Sequence, residues 1–292
     1  MSIAHRALRL RRMVPRHSMR RPLAMAVLAL LAPVAVALDC AAIEDAEART
    51  CCDRSLPKTA MTQTLDAAMA DDRGTVRELG AKLAWKRLAD GRMATRVDVT
   101  DPPREAGTIV LVVHSPADDD DDAARAQAFV YNPSDRRDRL ISVKALSGNL
   151  LGLDFSYEDF AYLYGVRSDL AFQRLPDEMV DDRPVLVLEA LPTDPDASYD
   201  AGLQYTRIVT RFDRERCVVL DTRFYENDVK PRKELIADLE ELDEQDGRWV
   251  PRRLTMHDRM GNTRTVVTLQ KIEFDPALHD VFFDRSALKR GR

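Results

Sequence analysis

The chain is poor in the residues from which active sites are assembled. It has five His in 292 residues, and two of them, His5 and His17, fall in the first 37. The other three, His114, His257 and His279, make no HExxH pair, and there is neither a Gly-x-Ser-x-Gly elbow nor a Gly-rich phosphate loop. Four Cys are present without any CxxC spacing, which argues against zinc and thiol-redox chemistry. Ser156 has Asp159 three residues on but no His nearby in sequence, so its hydroxyl reads as a helix cap and not as a nucleophile. Carboxylate pairs such as Asp154 with Glu158 read as ordinary helix surface. No catalytic residue, metal or cofactor is expected, and a binding protein is the better reading.

Long apolar runs are confined to one place. Met1 to Pro22 carries seven Arg and no acidic residue, and Leu23 to Ala37 is an apolar run ending in Ala35-Val36-Ala37. This pattern predicts a signal peptide cleaved after Ala37. The run is broken by Pro33 and is shorter than the roughly 20 residues a spanning helix needs. Arg20-Arg21 is followed by Pro22-Leu23-Ala24 without the usual aromatic residue, so general secretory export is favoured over the twin-arginine route. Lipidation at Cys40 is the minority alternative, because Asp39 fits poorly before a modified cysteine.

With the leader set aside, 37 basic residues face 49 acidic ones, a net charge of about −12. Nucleic acid is thereby an unsuitable partner, and any lipid binding is expected to work through a pocket, with only transient membrane contact. Export would place Cys40, Cys51, Cys52 and Cys217 where disulfides persist. Read as one helix, the segment from Ala41 to Arg54 would hold Cys40 and Cys51 about 16 Å apart, too far to pair. A bridge from Cys51 or Cys52 to Cys217 would instead staple this helix to a late strand, with unpaired thiols as the alternative.

Beyond the helix the chain is a succession of strand-length segments parted by turn signals, about a dozen in all, and one domain over residues 38–292 is expected. Leu79, Ala81, Leu83 and Trp85 alternate onto one face, as do Met93, Thr95, Val97 and Val99. Asp90-Gly91 and Met260-Gly261-Asn262 mark turns. Five consecutive aspartates, Asp118 to Asp122, read as a solvated hairpin tip, since adjacent carboxylates cannot converge on one calcium ion. Glu234 to Leu242 and Trp249 to His257 each read as a single strand.

The segment Tyr131 to Phe160 interrupts this regularity. After Ser147-Gly148-Asn149, Ser156 is placed to cap a helix with Asp159 at the third position, a relative of the capping box. Tyr157, Phe160, Leu163 and Tyr164 recur at spacings of three and four. Tyr131 and Pro133, then Arg136, Arg137, Arg139, Ile141 and Ser142, then Gly152-Leu153-Asp154-Phe155-Ser156-Tyr157-Glu158-Asp159, together resemble the LolA-like outer-membrane lipoprotein-sorting family. The resemblance continues at Leu83-Ala84-Trp85-Lys86, Asp101-Pro102-Pro103, Gly107-Thr108, Arg248-Trp249-Val250-Pro251 and Leu254-Thr255-Met256-His257-Asp258, and spans roughly Met61 to Leu288.

What the resemblance implies is a mainly β fold, an incompletely closed antiparallel β-barrel with a helical lid, in an exported periplasmic chaperone or carrier that binds acyl chains of lipoproteins or phospholipids. Leu150, Leu151, Leu153, Phe155, Tyr157, Phe160, Tyr162 and Leu163 supply more apolar surface than one helix face needs and are the expected lid. Trp85, Phe129, Tyr131 and Trp249 are the expected cavity wall, assigned from strand parity. The family's other members imply an alternative, a non-catalytic accessory subunit of an RND-type or other inner-membrane lipid exporter. The acidic elaborations Asp118–Asp122 and Asp238–Asp246 weaken any transfer of partner surfaces from better-known carriers.

Overall fold

The computed structural model describes residues 40–114, 126–141, 148–164, 167, 169–200, 202–227 and 229–288. The predicted leader and the aspartate run 118–122 lie outside the described residues. Those described belong to one compact unit, Ala35–Arg292.

Thirteen strands make one antiparallel sheet. The first six are β1 (Ala60–Ala70), β2 (Val76–Arg87), β3 (Met93–Asp101), β4 (Ile109–His114), β5 (Ala126–Asn132) and β6 (Arg137–Ile141). A second series is β7 (Leu170–Val180), β8 (Arg183–Pro192), β9 (Arg207–Asp213), β10 (Val219–Tyr225) and β11 (Lys233–Ala237). β12 (Leu242–Gln245) and β13 (Arg248–Pro251) form a separate hairpin, and β14 (Arg253–Asp258) and β15 (Thr263–Phe274) complete the sheet. The strand order is β6-β5-β4-β3-β2-β1-β15-β14-β11-β10-β9-β8-β7. Its two edges are β6 and β7, so the large curved sheet is not closed into a barrel.

Local chemistry accounts for the hairpins. Asp181 and Asp182 both adopt positive φ, 49° and 62°, between β7 and β8, as a two-residue turn of the twist-matched type requires. Asp246 and Gly247 do the same between β12 and β13. These hairpins correct two expectations. The predicted strand Glu234 to Leu242 ends at Ala237, and Trp249 to His257 is divided at Arg252, because the chain leaves the main sheet to make the β12–β13 excursion.

Both faces of the sheet are covered. On one face, Leu79, Ala81, Leu83 and Trp85 of β2 pack with Val97 and Val99 of β3, Val110 of β4 and Leu269 of β15. On the other, Ala84, Ala94, Ile109, Leu111 and Phe129 pack under the C-terminal segment, through Phe283 and Leu288 of the 3-10 turn Asp280–Phe283 and α4 (Arg285–Leu288). Parity decides the division, since neighbours on a strand point to opposite faces.

The N-terminal segment is not one helix. A 3-10 turn, Cys40–Ala42, precedes α1 (Ala46–Ser55), which begins at Asp45 with its carboxylate accepting from the Ala48 N–H at 2.8 Å. The break at Ile43–Glu44 folds the chain back, so Cys40 bonds Cys52 with a Cα separation of 5.6 Å. Cys51 bonds Cys217, 4.6 Å away between Cα atoms, and ties α1 to the β9–β10 turn. The Cys40 sulfur is thus engaged in a disulfide, which removes the thiol that lipidation would need, and Cys52 pairs within the N-terminal segment and not with Cys217. Leu186, Leu188 and Phe212 of β8 and β9 pack against this stapled segment.

Candidate functional site

Between the sheet's edges the chain crosses the first face as a plug. Leu150–Gly152 makes a 3-10 turn in which Leu151 adopts φ 53° and Gly152 φ 72°. The positive φ at Gly152 favours glycine there, and a Cβ would also crowd the Arg77 guanidinium at 3.3 Å. The Leu150 N–H then donates to the Phe155 carbonyl at 2.6 Å, and α2 (Tyr157–Leu163) begins. The capping box is complete. The Asp159 N–H donates to Ser156 Oγ at 3.2 Å and the Ser156 N–H donates to Asp159 Oδ2 at 2.7 Å.

No residue from Leu153 to Tyr164 is exposed. Leu150, Leu153, Phe155, Tyr157 and Ala161 are buried among the sheet's side chains, with Leu151, Phe160, Tyr162 and Leu163 packed against the same cluster. Phe160 stacks on Tyr164, centroids 5.6 Å apart, and Tyr162 meets Phe224 edge-on at 5.9 Å. A helix with aromatic or aliphatic residues around most of its circumference belongs inside a protein. The lid therefore fills the hollow of the curved sheet instead of lying over it. Only about 10 Å³ remains between α2 and Val97, Val110 and Val112, at the lower limit for one water.

The acidic residues of α2 are buried as well, which corrects the reading of Asp154 and Glu158 as surface. Glu158 is 2 % exposed and Asp159 fully buried. Lys233 Nζ of β11 lies 2.8 Å from Asp159 Oδ2, and the Tyr205 hydroxyl donates to Asp159 Oδ1 at 2.6 Å. Arg167 donates to Glu158 at 3.0 Å, and the Gln204 and Tyr205 N–H groups donate to the same carboxylate at 2.9 and 3.1 Å. Arg167 also grips Asp169, which accepts from the Ser198 hydroxyl at 2.7 Å. Asp154 accepts from the hydroxyls of Thr263 and Thr265 of β15. Three carboxylates at the N-terminal end of the plug are thus fastened to the sheet and its loops, a polar latch on an apolar helix. Burial pushes the Glu158 carboxyl up to about 7, against the opposing pull of Arg167. It also raises the Tyr205 hydroxyl, in concert with the Asp159 charge.

At the other end of the plug is a cleft of about 180 Å³. Leu163 and Tyr164 border it with Leu56 and Pro57 after α1, Met61, Leu235, Leu269 and Ile272 of the sheet, and Trp249 and Val250 of the β12–β13 hairpin. Trp85, 2 % exposed, is the cross-strand partner of Met61 and lies in the same cluster as the lid, and its indole N–H has no hydrogen-bond partner among the described residues.

The expected wall residues consequently divide. Trp85 and Trp249 stand beside the plug and its cleft. Phe129 and Tyr131 face away from it, packed with Ile109 and Leu111 toward the C-terminal segment, and Arg285 lies over the Phe129 ring at 4.7 Å. Ala128 occupies the lid face in their place, which corrects the expected strand parity of β5 by one residue. The latch went unrecognised in the sequence, although acidic residues set among aromatics on all sides of YEDFAYL signal carboxylates without a solvated face to occupy. A wider, open concavity of about 970 Å³ lies on the opposite face, with Lys82, Asp98, Lys271 and Glu273 on one part of its lining and Leu278, Val281 and Phe282 on another. Among the described residues, no three His, Cys, Asp or Glu are grouped to hold a metal ion. No helix there is long and apolar enough to cross a membrane.

An open antiparallel sheet wrapped around an interior plug helix is a LolA-like fold. A family model described as "-like: Uncharacterized protein" matches residues 91–290, well over half of the chain, and the chain belongs to that family. Three solved structures share the fold. A domain from Vibrio parahaemolyticus named for outer membrane lipoprotein sorting is 21% identical, with a TM-score of 0.69 over 84% of this chain and 97% of that one. A DUF1329 family protein from Desulfovibrio piger ATCC 29098 is also 21% identical, with a TM-score of 0.70 over 82% and 95%. A LolA superfamily protein from Nitrosomonas europaea is 17% identical, with a TM-score of 0.61 over 82% and 98%. No curated protein matches the sequence significantly.

Proposed function

We propose that this protein is an exported periplasmic carrier that takes up acyl chains of lipoproteins or phospholipids by exchanging them for its own plug, without catalysing a reaction. One observation carries the reading: α2 is buried on every side and occupies the hollow, yet its N-terminal end is held by ionisable groups and not by packing alone. An element so built has a second arrangement available, in which the latch opens and a ligand takes the apolar lining. Each CH₂ removed from water contributes about 0.8 kcal/mol, so a chain of ten or more carbons contributes roughly 8 kcal/mol toward offsetting the loss of the plug's contacts. The fold shared with a domain named for lipoprotein sorting supports the same reading, and two disulfides suit an oxidising compartment.

The test is native mass spectrometry of the mature protein purified from a bacterial periplasm, followed by organic extraction and by titration with a fluorescent fatty acid. Copurified lipid or acylated peptide, with saturable one-to-one binding, is the expected result. An apo mass together with no saturable binding would overturn the carrier reading in favour of an accessory subunit of an inner-membrane lipid exporter.

A further inference from the structure

The cleft at the end of the plug is apolar within and basic at its rim. Arg248 and Arg54 both border it. Arg248 is only 12% exposed, yet none of its five N–H donors makes a hydrogen bond among the described residues; Asp275 is the nearest carboxylate at 3.9 Å, and the guanidinium rests on the Phe274 ring at 4.6 Å. Asp275 accepts from the Thr59 N–H and hydroxyl at 2.7 and 2.9 Å through Oδ1, and its Oδ2 faces Arg248 only at the long distance. Arg54 reaches only the Gly247 carbonyl, at 3.4 Å. Arg216 lies over the Trp249 ring at 5.1 Å and forms no ion pair with a described residue. In a chain where acidic residues outnumber basic ones 49 to 44, and where most buried arginines are matched closely to carboxylates, two weakly matched guanidiniums bordering one apolar opening, with Arg216 behind Trp249, mark a place for a negative charge supplied from outside.

We propose that this opening selects its ligand by head group: it admits one acyl chain ending in a carboxylate or phosphate, the tail entering beside Leu163 and Trp249 and the anion pairing with Arg248 and Arg54. The volume supports a single chain, since about 180 Å³ falls below the roughly 300–1,000 Å³ of sites that enclose drug-sized ligands. Guanidiniums on the rim of one cleft suit oxygen anions, which they bind in a forked geometry, better than they suit a neutral hydroxyl. This inference rests on the carrier reading and adds the chemistry of the head group to it.

The experiment is calorimetric titration of the mature protein with four ligands of equal chain length: dodecanoate, dodecyl phosphate, dodecanol and dodecyltrimethylammonium, each below its micelle threshold. The two anions are expected to bind at least about tenfold more tightly than dodecanol, with the cation weakest. Arg54→Gln, on a half-exposed side chain, and Arg54→Gln with Arg248→Gln should progressively erase that preference while dodecanol binding stays within about twofold. Equal affinities for all four ligands would overturn the head-group inference and leave the carrier reading standing. Failure of every alkyl ligand would overturn both. Competition by inorganic phosphate as effective as by dodecyl phosphate would show a bare anion site and likewise overturn the inference.

Discussion

Lys233 Nζ lies 2.8 Å from Asp159 Oδ2 with both side chains almost wholly shielded from water, joining the middle of the sheet to the first turn of the plug. Removing one member of a buried pair leaves the other charge uncompensated, at a cost of about 3–5 kcal/mol. Lys233→Met should therefore lower stability in urea denaturation by about that amount. It should also speed amide exchange in Tyr157–Leu163 more than in β1 and β2. Uniform loss of protection would show that the pair supports the whole sheet and does not act as a latch.

Glu158 ties lid closure to pH. Its folded pKa, about 7, is raised above that of an exposed glutamate, mainly by burial. The folded state therefore binds the proton more tightly than the unfolded one. The stabilisation is fully present below about pH 4.5 and is lost as pH rises through 7, an effect on the order of 3 kcal/mol at most. Protection factors of the lid amides, corrected for the base-catalysed intrinsic rate, should fall progressively from pH 5 to pH 8, and Glu158→Gln should flatten that profile. An unchanged slope in the variant would assign the pH dependence to another group.

Phe160 separates a plug from a clamp. If the lid competes with the ligand, Phe160→Ala should cost about 2–4 kcal/mol of stability and at the same time raise the affinity for a fluorescent fatty acid several-fold. Loss of affinity together with stability would mean that Phe160 holds the ligand in place.

The two disulfides should contribute unequally. Cys51 and Cys217 are 166 residues apart in sequence and Cys40 and Cys52 only 12, so the first constrains the unfolded chain far more. On the loop-entropy account, Cys51→Ala with Cys217→Ala should cost about 5 kcal/mol and Cys40→Ala with Cys52→Ala about 3, read from chemical denaturation. The reverse order would show that packing of the N-terminal turn outweighs chain entropy.

Much of this architecture was written locally. Alternation from Leu79 to Trp85 and from Met93 to Val99, and turn residues at Asp90-Gly91 and Gly261-Asn262, act over a few positions and predict strands and hairpins that the structure contains. Ser156 and Asp159 likewise start α2 through contacts three residues apart. Strand phase was less secure. One misjudged position in β5 carried Phe129 and Tyr131 to the wrong face, because a period of two leaves no tolerance for slippage.

The sequence by itself determined the β class, the helix start and the apolar character of the lid, since these depend on propensity and spacing along the chain. Tertiary structure decided how deep the lid sits, that Glu158 and Asp159 turn inward to Arg167, Lys233 and Tyr205, and that Cys40 finds Cys52 while Cys51 finds Cys217. It also decided which arginines were left short of partners around the cleft. The physical reason is the same in each case. Charge pairing and disulfide geometry depend on distances between residues tens to hundreds of positions apart, and only the folded sheet sets those distances.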